Sequence, residues 1–256
     1  MRTTKTPFLL TLLSFAVLFS LGYTSGRPTT TIPMGTWYLL SIDNQPSGYL
    51  HVLRKSSPDA SSDAKLDFEY EMLTNSQSQR VLVKMQTVCD DDAYLFPLSV
   101  TADIDERGQA PATLKATVDK EVPYGASKGT MRIIYRKSDK IYNLDRDIPE
   151  HTVSDAALLE IIPRLPFVEG TVFKFNFLQL NKLKVRKNHQ IRYLGLDTIT
   201  INNTTKSLHK FEQKGSGIKK MEYWLDDNHQ LIRTLEDGKE ELLLSTPADV
   251  KRLVKN

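Results

Sequence analysis

The chain has 256 residues, 40% hydrophobic and 25% charged, which is the balance of a globular protein with enough apolar residues for a sizeable core. Cys89 is its only cysteine, so an intrachain disulfide is excluded. The formal charge is +3, and it falls to +1 without Arg2 and Lys5, the only charges in the first 26 residues; a nucleic-acid partner would have little electrostatic reason to bind.

The N-terminus reads as an export signal. "MRTTKT" is basic, "PFLLTLLSFAVLFSLG" is a short apolar run, and Gly22, Ser25 and Gly26 make a small-residue exit. Residues 1–26 are therefore expected to be a signal peptide cleaved after Gly22 or Gly26. Their apolar run is short for a membrane span of ~20 residues. Residues 27–34 read as a polar tether, and residues 35–256 as a single β-rich domain.

From there most of the chain alternates with a period of two, the pattern of strands with one buried face. "TWYLLSI" and residues 49–54 are expected to form a first hairpin, turned by Pro46 and Gly48. "SSPDASSDA" reads as a solvated loop. "KLDFEYEML" sets Leu66, Phe68, Tyr70 and Met72 against Asp67, Glu69 and Glu71. "RVLVKMQTV" follows. "YLFPLSVTADI" and "ATLKATVDK" flank "DERGQAP", and "TMRIIYRK" pairs with "KIYNL" across "SDK".

The period changes to helical in "VSDAALLEIIPRL". Ser154 is the expected N-cap, and Pro163 should end or kink the helix. Strands then resume in "TVFKFNFLQL", "KLKVRKNHQIRYLG" and "DTITI", followed by hairpins turned at "NNT", "KGSG" and "DGK". "TPADVKRLVKN" reads as a terminal helix capped by Thr246, with Pro247 at its first position. The expectation is mostly β: about fifteen strands in a large curved antiparallel sheet, or half-barrel. It wraps one central helix (151–166) between a first half (35–150) and a second half (167–256). Tight turns argue for a meander without βαβ crossovers.

Chemistry-bearing motifs are scarce. "DDNH" (226–229) asks whether two acids, an amide and an imidazole form a site. One loop supplies all four, so a turn is expected rather than converging metal ligands. "CDDDAY" lacks the alternating acids, glycine and late glutamate of a calcium loop and reads as an acidic turn. Cys89 reads as core filling. His51, His189 and His209 fall on strands and would need the fold to bring them together. No nucleophile elbow, HExxH, phosphate loop or dinucleotide fingerprint is present. Catalytic residues, metal ligands and cofactors are accordingly expected to be none. A hydrolase built from distant strands, for instance from His51, Asp92 and a serine, is the weaker alternative.

Two groups are the candidate binding residues. Phe173, Phe175 and Phe177, with Trp224, are candidates for an apolar ligand. Lys182, Lys184 and Arg186 alternate on one strand and are candidates for a lipid headgroup or an acidic partner. Asn202 and Asn203 match the glycosylation pattern.

"SDAALLEIIPRLPFVEGTVFKFNF", "YLGLDTI" and "MEYWLDDNHQLIRTLEDGKEELLLST" together resemble a family of uncharacterised exported bacterial domains. Pro166, Gly170, Gly195, Trp224, Asp226 and Arg233 hold the shared positions, and "GTWYLLSIDNQPSGYLH" resembles the start of such domains. That family is similar in architecture to the outer-membrane lipoprotein carriers, whose curved antiparallel sheet cups a helix and shelters acyl chains. The resemblance spans roughly residues 35–246. It implies a half-barrel fold and a periplasmic or outer-membrane-associated location, and brings no catalytic residue with it. The chain departs from the carriers in its extra strands and long second half. The expected function is a non-enzymatic exported protein that binds an apolar ligand, such as an acyl chain, on its concave β-face. An envelope structural or protein-interaction module is the alternative.

Overall fold

The computed structural model describes residues 35–55, 65–76, 79–121, 127–180 and 182–253. The predicted signal peptide, the tether and the loop at 56–64 lie outside the described residues.

Fifteen strands form one sheet. The first eight are β1 (Thr36–Ile42), β2 (Gln45–Lys55), β3 (Lys65–Ser76), β4 (Gln79–Asp90), β5 (Pro97–Glu106), β6 (Ala112–Glu121), β7 (Lys128–Lys137) and β8 (Lys140–Ile148). The short β9 (Thr152–Ser154) leads into helix α1 (Asp155–Ile161) and a 3-10 turn (Ile162–Arg164). Then come β10 (Val172–Gln179), β11 (Lys184–Ile201), β12 (Thr204–Gly215), β13 (Met221–Leu225), β14 (Leu231–Glu236), β15 (Glu240–Ser245) and helix α2 (Pro247–Leu253).

The sheet order is β8 back to β1, then β15 back to β9. Pairing of β1 with β15 joins the two halves, with Leu39 opposite Leu243. The result is a large, nearly closed barrel whose two ends, β8 and β9, are neighbours in sequence. The meander is antiparallel, as alternation and tight turns predict, with one exception. β9 pairs parallel to β10, Val153 opposite Phe177, because α1 carries the chain between them as a crossover. The sequence reading allowed for no such crossover.

The first turn also differs from expectation. Asp43 and Asn44 both have positive φ (48° and 63°), so the hairpin turns on these two residues in the primed geometry that matches strand twist. Pro46 and Gly48 lie inside β2 instead, beside a bulge opposite Leu40 and Ser41. Gly48 is needed there: a Cβ would sit 1.8 Å from the Leu73 carbonyl oxygen.

The interior is occupied. All seven residues of α1 are buried, and Leu158, Leu159 and Ile161 share one core cluster with side chains from both halves of the sheet. Ser154 caps the helix as expected, its Oγ accepting from the Ala157 N–H at 3.3 Å. Tyr70 donates to the Ala156 carbonyl at 2.5 Å, tying the helix to β3. Burial is worth roughly 1.5–3 kcal/mol per large apolar side chain. This gain offsets the two acids, Asp155 and Glu160, that the helix takes inside with it.

Candidate functional site

The barrel fails to close at one place, and local sequence explains why. β9 lasts three residues because Ser154 caps a helix that turns inward. It therefore covers β10 only at 176–178. At its start the connection from β8 is tied down: Asn176 donates from Nδ2 to the Glu150 carbonyl and from its backbone N–H to the His151 carbonyl. Further along, β8 has no strand beyond it. Arg146 Nε donates to the Leu183 carbonyl at 3.0 Å, so the turn between β10 and β11 faces β8 across the opening.

Pairing of β7 with β8 puts Tyr135 opposite Tyr142 and Ile133 opposite Leu144. Ile133 is buried in the core, so Tyr142 and Leu144 share its inward face. With Leu183 they line a cleft of about 460 Å³, whose rim includes Lys137, Ser138, Asp139 and Lys140. That volume falls in the range of small-molecule sites, roughly 300–1,000 Å³. Leu183 has φ 48°, a left-handed conformation costly for a leucine. Tyr142 is 47% exposed.

Two other clefts are less suited to a ligand. The larger, about 580 Å³, lies beside α2. Three of its polar side chains are committed to one another, Thr246 and Arg252 both donating to Asp249 at 2.8 Å. The smaller, about 360 Å³, is lined on β2–β5 by charges that already pair, such as Lys84 with Glu71 at 3.2 Å.

Of the four apolar candidates from sequence, the three phenylalanines share one core, Phe173 packing on Phe175 with centroids 4.7 Å apart, and Trp224 stands apart. Phe175 and Phe177 are core residues, and Phe177 at 0% exposure offers no surface to a ligand in this state. Phe173 is half-buried and stacks on Tyr94, centroids 5.2 Å apart. Trp224 belongs to a separate cluster with Leu208 and Ile232. Its Nε1 donates to Asp197 at 2.9 Å, and Lys210 and Arg233 lie over its ring. The basic candidates divide as well. Arg186 donates to Gln179 Oε1 at 2.6 Å, whereas Lys182 and Lys184 are exposed on either side of Leu183.

The histidines separate too. His51 stacks on Trp37 at 4.1 Å. His189 is fully buried with neither ring nitrogen hydrogen-bonded, and burial pushes its pKa down to about 2, so it is a neutral imidazole. Asp92 accepts from the Tyr94 and Phe96 N–H groups, and Asp91 pairs with Arg164 at 2.9 Å. "CDDDAY" is thus a turn with structural partners. Burial raises the Cys89 thiol to about 12, which keeps it protonated.

"DDNH" is a turn as expected: Asp226 accepts from the Asn228 and Gln230 N–H groups, and His229 has φ 60°. It also does something the sequence did not show. Phe167, just after the internal helix, lies between the rings of His209 and His229, at 3.7 and 3.9 Å and nearly parallel to both. His209 is held by Asp227 at Nε2 (3.0 Å) and by the Tyr193 hydroxyl at Nδ1 (2.8 Å). The Asp227 carboxylate accepts from the Nε2–H, which leaves Nδ1 to accept from the Tyr193 hydroxyl, whose pKa burial raises. This carboxylate–imidazole–phenol chain positions Phe167 and so anchors the exit of the internal helix. Among the described residues, no group of three His, Cys, Asp or Glu is placed to hold a metal ion.

No protein-family model matches the chain, and no curated protein matches its sequence. Among solved structures it is similar to the crystal structure of a beta-barrel-like protein of a domain of unknown function (DUF1849) from Brucella abortus. The identity is 9% and the TM-score 0.44, over 83% of this chain and 95% of that one.

Proposed function

We propose that this is an exported, non-enzymatic binding protein that takes an apolar ligand, such as an acyl chain, into the open seam between β8 and the turn at Leu183. The observation that carries the reading is the cleft itself: inward-facing Tyr135, Tyr142, Leu144 and Leu183 around about 460 Å³, where the strand next to β8 is missing. Apolar clefts with a few polar rim groups are the usual form of small-ligand sites. The basic, apolar and small-residue N-terminus supports export to the periplasm or outer membrane, with cleavage after Gly22 or Gly26.

A tryptophan reporter tests the site. In Tyr142→Trp, a brominated twelve-carbon fatty acid should quench the new tryptophan more strongly than the native Trp37 and Trp224. Equal quenching of all three would overturn the seam as the site.

A second reading, an envelope interaction module, draws on the same edge. β8 ends the sheet, and its Ile141 is 57% exposed. Exposed apolar edges invite strand addition by a partner. Ile141→Lys should then abolish retention in the envelope fraction; unchanged retention would dismiss it.

A further inference from the structure

We infer that the seam ligand is an anionic amphiphile, a single apolar chain ending in a carboxylate or phosphate that lies against lysines at the rim; this rests on the seam reading above. Lys137 and Lys140 line the cleft from the β7–β8 side. Lys182 and Lys184 flank Leu183, which lines it from the other. Among the described residues none of these four lysines forms an ion pair. Other lysines divide: Lys120 pairs with Asp90 at 2.5 Å, Lys210 with Asp197 and Glu222, and Lys214 with Glu212, whereas Lys115, Lys187 and Lys206 form no ion pair among the described residues, so it is their place beside the cleft that marks these four. Against the four, the cleft itself offers one acid, Asp139. Two lysines in the lining and two exposed ones next to Leu183 in the chain raise the local concentration of anions on this side of the molecule.

The shape of the gap sets the chain number. The opening lies where β9 gives way to the helix that Ser154 caps. Its apolar lining is one short row, Tyr142 and Leu144 on β8 with Leu183 of the turn, which offers contact to a single hydrocarbon chain. The chain would contact Tyr142, Leu144 and Leu183, while its head stays in water beside the lysine ammonium groups, whose aliphatic stems add apolar surface. Arg186 is left out of this ring because its guanidinium is already committed to Gln179.

Calorimetric titration of the full chain with dodecanoate, dodecyl phosphate and dodecanol separates this inference from the reading beneath it. Both anions should bind at least about tenfold more tightly than the alcohol, an advantage of the size several exposed charge contacts supply. The advantage should shrink in high salt. Changing Lys137, Lys140, Lys182 and Lys184 to Met, which removes the charge and keeps an apolar stem, should erase the difference between the two anions and dodecanol. These are exposed or half-buried lysines, so the fold should survive. Equal binding of dodecanol and dodecanoate by the unaltered protein would overturn the anionic head while leaving the apolar seam standing. Binding of none of the three would overturn the seam reading and this inference with it.

Discussion

Replacing Glu160 by Gln should make the protein more stable at alkaline pH and alter the shape of its stability profile. Glu160 lies on α1 inside the barrel, 2% exposed, and its Oε1 has no hydrogen-bond partner. Burial raises its pKa from 4.5 to about 7, against the opposing pull of Arg54 and Arg164. Tyr38, Tyr70 and Cys89 are the other titratable groups that sense its charge. In the unfolded chain the carboxyl ionises near 4.5, so between that pH and about 7 folding keeps a proton the unfolded state has released. Its stabilising contribution is therefore complete below about 4.5 and is lost as the pH rises through about 7. A shift from 4.5 to about 7, at about 1.4 kcal/mol per pH unit, amounts to ~3 kcal/mol. Urea unfolding of the wild type and Glu160→Gln at several pH values should show the wild type losing ~3 kcal/mol relative to the variant between about pH 4.5 and pH 8. A constant gap between the two curves, or a variant that is the less stable at pH 8, would refute the reasoning. Either would mean that the ionised carboxylate is well paired inside the barrel.

Three further substitutions probe separate parts of the fold. Ser154→Ala removes the cap of α1 and should cost about 1 kcal/mol by chemical denaturation; no loss would mean that the cap does not decide where β9 ends. His189→Leu replaces a buried imidazole with two unpaired ring nitrogens by an apolar group, and should leave stability unchanged or raise it by up to about 1–3 kcal/mol. A loss in excess of 1 kcal/mol would point to a hidden partner for that ring. Leu183→Gly relieves a left-handed leucine and should not lower the melting temperature, yet it should weaken twelve-carbon ligands by removing a wall of the seam. Unchanged ligand affinity would count against Leu183 as lining.

Much of the fold was legible because alternation reports local burial. "KLDFEYEML" buries Leu66, Phe68 and Tyr70 as its pattern demands, and "VSDAALLEIIPRL" gives a helix capped at Ser154 with a tighter turn at Pro163. Alternation gives a face and not its neighbour. Phe175 and Phe177 were correctly placed on one face, but only the position of α1 shows that this face is filled. Trp224 lies on the opposite face of its strand from the core residues Tyr223 and Leu225, a separation that a list of bulky residues hides. The seam was illegible for a related reason. It arises from which strands end the sheet, and β8 becomes an end only because β9 stops early. A trace of it was present in "KIYNLDRDI", where apolar Ile141 and Tyr142 stand in a charged strand followed by no hairpin partner. The Phe167 stack joins residues 167, 209 and 229, too far apart in the chain for any spacing rule.

The seam as a ligand site is tested most directly by native mass spectrometry of the protein as recovered, without detergent, from the cell envelope. A bound mass that organic solvent releases is expected from the wild type and should be missing from Tyr142→Asp, which places a charge in the cleft. An unliganded mass in both proteins, with no uptake of added dodecanoate by the wild type, would contradict it.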